Sequence, residues 1–252
     1  MATSWDGCRE PTALRRFGRN PEGQAVLLLL GATAAWGATF VVVKDAVTHM
    51  SVAGFLAWRF IVAAGLLAIL RPRSLVRLGP RGWVRGVILG WALTGGYLLQ
   101  TLGLRYTTAA VSGFLTGLSV VITPLLAWWF LRQRPRPRVW VATVMALCGL
   151  GVMSLSAFSF GLGEFLTIAS AVSFSLQIVG LARWASSRDA YALAAVQLLT
   201  VATCCSLVSV PSGPHLPASG GAWAAVAVTA VMATCFAFIV QSWAQTLLSP
   251  SR

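Results

Sequence analysis

The sequence predicts an all-α integral membrane protein of about eight transmembrane helices, and three observations carry that prediction. Of its 252 residues, 57% are hydrophobic and only 10% charged, at a mean hydropathy of +0.78, whereas a soluble domain carries roughly a quarter charged residues. Eight stretches are long and apolar enough to cross a hydrocarbon core about 30 Å thick, which takes about 20 helical residues. The basic residues collect on alternate sides of those stretches. Composition alone excludes a soluble enzyme, a disordered tail and a disulfide scaffold.

The spans are read at 24–43, 52–70, 84–104, 107–131, 139–157, 163–182, 190–210 and 222–243. Residues 1–23 form a basic arm. The first span is too long for the apolar part of a signal peptide, and Lys44 and Asp45 follow where a small-residue cleavage site would stand. It is therefore expected to be retained. The second span ends at Arg71 and Pro72, and the third opens through Gly82, Gly86 and Gly90, whose spacing marks close helix contact. The fourth carries Thr123 and Pro124; proline removes a helix hydrogen bond, so Pro124 predicts a kink and is a candidate hinge. Arg132 to Arg138 close the fourth span, Gly163 and Glu164 open the sixth, and a polar loop at 211–221 separates the last two.

The net charge of +13 would suggest nucleic acid in a soluble chain. Here sixteen of the 19 Lys and Arg lie before the first span, between the second and third, after the fourth, after the sixth and after the eighth. Lys44 and Arg105 lie on the other side, and Arg59 lies within a span. Cytoplasmic loops retain Lys and Arg, so the amino terminus is expected inside and the 211–221 loop outside. The basicity is read as topology, with no nucleic-acid partner. The lipid bilayer is the partner it implies.

The chain also repeats itself. Tyr97-Leu98-Leu99-Gln100 lies over Phe238-Ile239-Val240-Gln241 at an offset of 141 residues. Residues 57–64 lie over 195–202 at 138, placing Gln197 opposite Arg59, and 32–38 lie over 169–175 at 137. A unit of five spans inverts its second copy, an architecture that recurs in secondary transporters. The expected organisation is a first repeat at 24–157 with five helices and a second at 163–252 with three, the second incomplete.

These residues resemble the EamA family of the drug/metabolite transporter superfamily. The likeness rests on Trp36, Gly37 and Phe40, on Trp58-Arg59-Phe60, on Tyr97 through Gln100 to Thr108, on Thr123-Pro124, on Gly163-Glu164 and on Gln241 to Gln245. It implies an inner-membrane transporter that moves small metabolites, amino acids or drugs by alternating access at a cavity between inverted repeats. The family pattern has ten helices, and the ninth and tenth have no counterpart here. A truncated, transport-inactive fragment is therefore the alternative expectation. A homodimer whose copies complete each other's cavities stays open, although the uneven number of spans makes that geometrically awkward.

Arg59 is the sharpest candidate. It lies about 10 Å into its span, where a cation costs about 2.5–3.5 kcal/mol on insertion scales. Either it binds an anionic group, or it is satisfied by backbone carbonyls or by snorkelling. Gln100, Gln177, Gln197 and Gln241 are amides inside spans that either line the cavity or bond between helices. Trp36 and Tyr97, with Trp91 and Phe114, are candidate apolar wall. Glu164 is expected to stabilise the start of the sixth helix. The sequence has no HExxH, no GxSxG and no buried carboxylate pair. No catalytic residue, metal ligand or cofactor is expected; the substrate is a small molecule, and the protein is read as a carrier and not an enzyme.

Overall fold

The computed structural model describes residues 21–132, 161–186, 189–212 and 219–247, with a few isolated positions between these stretches. Every regular element among the described residues is helical: α1 (Pro21–His49), α2 (Val52–Leu70), the short α3 (Pro72–Arg77), α4 (Gly79–Tyr106), α5 (Ala109–Gly117), α6 (Ser119–Leu131), α7 (Leu162–Trp184), α8 (Ala190–Ser209), α9 (Gly220–Val228) and α10 (Ala237–Leu247). Seven spans are long and apolar enough to cross a membrane, α5 with α6 and α9 with α10 each counting as one. The chain is an all-α integral membrane protein. The eighth expected span, 139–157, lies largely outside the described residues.

Local chemistry sets the helix starts. Ser51, Thr108 and Ser219 stand before α2, α5 and α9, and each side-chain oxygen accepts from a backbone N–H three residues on, at 3.1–3.2 Å. Such caps satisfy donors that the first helical turn leaves unpaired. Helix α4 begins five residues earlier than the apolar pattern predicts, because Pro80 suits a first helical turn. At 28 residues it is about 42 Å long. Its exposed Arg81 and Arg85 thus fall in the headgroup region. The Trp83 indole donates to the Leu75 carbonyl (3.2 Å) and ties α3 to it.

Two spans depart from regular helix. The fourth breaks at Leu118, six residues before Pro124, which lies buried inside α6. The fault is thus upstream of the proline, opposite Ser175 of α7, whose hydroxyl donates to the Ala171 carbonyl at 2.8 Å and lies 3.4 Å from the Ser119 carbonyl oxygen. The eighth is wound as a π-helix over Thr229–Phe236.

Helix α4 packs along α7 and α8, α2 along α8, and α1 along α10 and the π-wound turn. The main core joins Phe55, Leu56 and Phe60 of α2 to Ala194, Leu198 and Val201 of α8. Apolar side chains also cover the outside, Trp129 and Ile69 among them. A bilayer solvates them. Small residues set the closest helix approach. A Cβ on Gly86 would lie 2.6 Å from Val196 and one on Gly90 2.5 Å from Thr200, both on α8. One on Gly103 would lie 2.8 Å from the Gly163 carbonyl oxygen on α7.

That last contact is backbone, which no rotamer change relieves. Gly103→Ala should therefore cost about 1–3 kcal/mol, read as a lowered Tm in detergent. Gly65→Ala, with nothing within 4 Å of the added carbon, should leave Tm unchanged or raise it through better helix propensity.

Candidate functional site

Among the described residues, α1, α2, α4, α5, α6, α7 and α10 line a cavity of about 140 Å³. Its walls are aromatic: Trp36 and Phe40 from α1, Tyr97 from α4, Phe174 from α7 and Phe238 from α10. Tyr97 is the hub, with ring centroids 4.8 Å from Phe60, 5.2 Å from Phe174 and 6.4 Å from Phe238. Edge-to-face pairs of this kind add about 0.5–1.5 kcal/mol each beyond the area they bury.

Into this apolar shell project a few polar groups. Arg59 is 3% exposed. Its Nε donates to the Thr234 hydroxyl at 2.8 Å, and its charge sits 5.1 Å from the Tyr97 ring centroid and 5.4 Å from that of Phe60. No carboxylate among the described residues forms an ion pair with it. The cation lining the cavity keeps its Nη donors.

The amides complement it. Thr116 donates its hydroxyl proton to the Ser112 carbonyl (2.8 Å) and therefore accepts from Gln100 Nε2 (3.0 Å), which leaves Gln100 Oε1 as an acceptor. Gln197 Nε2 donates to the Leu193 carbonyl (3.1 Å), so its Oε1 accepts from Gln177 Nε2 (2.7 Å) and Gln177 likewise offers Oε1. Gln241 Oε1 is buried and has no hydrogen-bond partner among the described residues. An orphaned buried acceptor of this kind costs about 1–3 kcal/mol. It lines the same cavity.

Six of the nine cavity candidates singled out in the sequence, Trp36, Arg59, Tyr97, Gln100, Gln177 and Gln241, line this cavity. Gln197 stands one hydrogen bond behind, holding Gln177. Trp91 is 62% exposed on the outside of α4, and neither it nor Phe114 lines the cavity. Thr101, Thr116, Phe174 and Thr234 are the residues that sequence reading passed over. Glu164 caps α7, accepting from the Gly161 N–H (2.9 Å) and the Thr107 hydroxyl (2.6 Å). Beside it, Lys44 Nζ donates to the carbonyls of Leu104 (3.3 Å) and Thr107, and Arg105 to that of Val47 (3.2 Å).

A helical bundle with an aromatic cavity around a cation that has no carboxylate partner among the described residues suits a membrane transporter. The EamA-like transporter family matches residues 23–155, more than half of the chain, and the protein belongs to that family. A protein of Archaeoglobus fulgidus described as an uncharacterized transporter is 29% identical over 220 residues, covering 86% of this chain and 68% of that one. A solved structure described only as "Crystal structure of protein" shares the fold at a TM-score of 0.70 and 20% identity, over 89% of this chain and 79% of that one.

The Gln177–Gln197 pair is testable on its own. Gln197→Leu leaves a buried amide without its acceptor and should cost about 1–3 kcal/mol. Adding Gln177→Leu should recover part of that loss, giving a coupling of about 0.5–3 kcal/mol in a double-mutant cycle of unfolding free energies.

Proposed function

We propose that this protein carries a small molecule bearing an anionic group, held at Arg59, by alternating access at the cavity between inverted repeats. The observation that carries the reading is Arg59 itself: a deeply buried cation that lines a cavity with no carboxylate paired to it among the described residues. Isolated charges in the membrane interior face a partner or a pathway. Here the missing partner is read as the substrate. Acceptor oxygens on Gln100, Gln177 and Gln241 suit N–H or O–H groups elsewhere on that molecule, and an amino or hydroxy acid has both.

The neighbour relations support the repeat reading. Under that exchange α2 takes the place of α8, and these two pack on each other. The pair α4–α7 exchanges with the pair formed by the last span and α1, which also pack together. Tyr97 and Phe238, related by the 141-residue offset, meet at the cavity, as do Gln100 and Gln241. The 24–157 and 163–252 repeat division, the cytoplasmic amino terminus, the inner membrane and a hinge in the Leu118–Pro124 segment belong to the same proposal.

In liposomes, the protein should exchange a labelled amino or hydroxy acid and discriminate against its neutral amide, and Arg59→Ala should abolish that exchange while the variant still folds. Unchanged flux in the variant would remove Arg59 from the site, and absence of flux for every solute would favour the inactive alternative. A single cysteine placed in 211–221 should label from outside in intact cells; labelling only after permeabilisation would invert the topology.

A further inference from the structure

Arg59 has five N–H donors in a rigid planar fork, and its value as a binding group depends on which edge of that fork meets the ligand. The flanking rings of Tyr97 and Phe60 stabilise the charge, yet ring faces do not select an edge. A hydrogen-bond acceptor does. We propose that Thr234 is the positioning residue for Arg59: it takes up Nε and so turns the Nη1–Nη2 edge toward the anionic group of the substrate. The proposal rests on the reading of Arg59 as the substrate-binding cation.

Thr234 is suited to this because its polarity is committed. Its hydroxyl proton goes to the Thr229 carbonyl, five residues back and 2.9 Å away. A hydroxyl has one proton, so toward Arg59 the Thr234 oxygen acts only as an acceptor. Thr234 is 0% exposed, and water does not compete for the bond. The five-residue reach belongs to the π-wound turn, a winding that recurs at functional sites.

The same turn holds a second cavity side chain. The Trp36 indole donates to the carbonyl of Ala233 at 2.7 Å. Adjacent residues of one turn thus anchor Arg59 from α2 and Trp36 from α1. Thr234, Phe238 and Gln241 stand at i, i+4 and i+7, on one helical face, and Phe238 and Gln241 line the cavity.

The test compares wild type, Thr234→Val, which keeps the shape and removes the acceptor, and Thr234→Ser, which restores it. In protein labelled with 15N at arginine Nε, one Nε–H resonance should be protected from exchange and vanish in Arg59→Lys. Its exchange should accelerate at least tenfold in Thr234→Val and return toward the wild-type rate in Thr234→Ser. Binding of glycine, lactate and benzoate, each against its primary amide, should then show a carboxylate preference in wild type. That preference should fall about tenfold in Thr234→Val, with amide affinity unmoved, and be regained with serine. Unchanged Nε protection, or equal weakening of carboxylate and amide, would overturn the positioning role. A wild type without carboxylate preference would instead overturn the substrate reading of Arg59, while the Nε exchange rates would still decide whether Thr234 holds it.

Discussion

One buried cation organises the centre of this protein. Placing Arg59 inside a span costs about 2.5–3.5 kcal/mol, and among the described residues the structure offsets this without a carboxylate. A hydrogen bond from a charged donor is worth about 1.5–3 kcal/mol and a desolvated cation–π contact up to about 2 kcal/mol. The Thr234 bond and the Tyr97 and Phe60 rings therefore balance the insertion cost to within its own range. On the proposed reading of Arg59 as the substrate-binding cation, the balance matters for function. A carboxylate neighbour would stabilise the cation further but occupy the edge that a substrate needs, whereas a hydroxyl and two aromatic faces leave the charge available.

The rest of the cavity follows from that choice. Tyr97, which faces the cation, is also the ring that packs against Phe60, Phe174 and Phe238, so it joins α2, α4, α7 and α10 at one point. The π-wound turn brings Thr234 to Arg59 and the Ala233 carbonyl to Trp36. Behind this polar centre, the dry seam of α2 against α8 contains Phe55, Leu56, Leu198 and Val201. It contributes packing in place of chemistry.

Much of this was legible in the sequence, and the misses have physical causes. Polar residues inside apolar spans are few, so Arg59 and the four glutamines stood out by the cost of burying them. Aromatic residues did not sort in the same way. Lipid and protein core are equally apolar, so Trp91, facing outward, and Tyr97, facing inward, look alike in a hydropathy pattern. Thr234 was invisible for a different reason: threonine in an apolar helix is commonplace, because its hydroxyl usually bonds a carbonyl of its own helix, and nothing in its position shows that it also meets Arg59. The break at Leu118 was likewise masked by Pro124, the stronger local signal.

The polar groups at the end of the bundle opposite the arginine-rich loops show where alternating access would have to act. Lys44 and Arg105 cross between α1 and α4 onto carbonyls, and Thr107 crosses from the end of α4 to Glu164 on α7. Each such bond is worth about 0.5–3 kcal/mol net, and each joins groups at the ends of spans, where water can replace it when helices part. The α2–α8 seam is held instead by close packing of Phe55, Leu56 and Leu198, whose fit lipid chains would not reproduce. Opening toward that face is therefore expected to spread α1, α4 and α7 at their ends and to leave α2 and α8 together. On the proposed mechanism, Arg59, carried by α2, would stay nearly fixed while access to it changes.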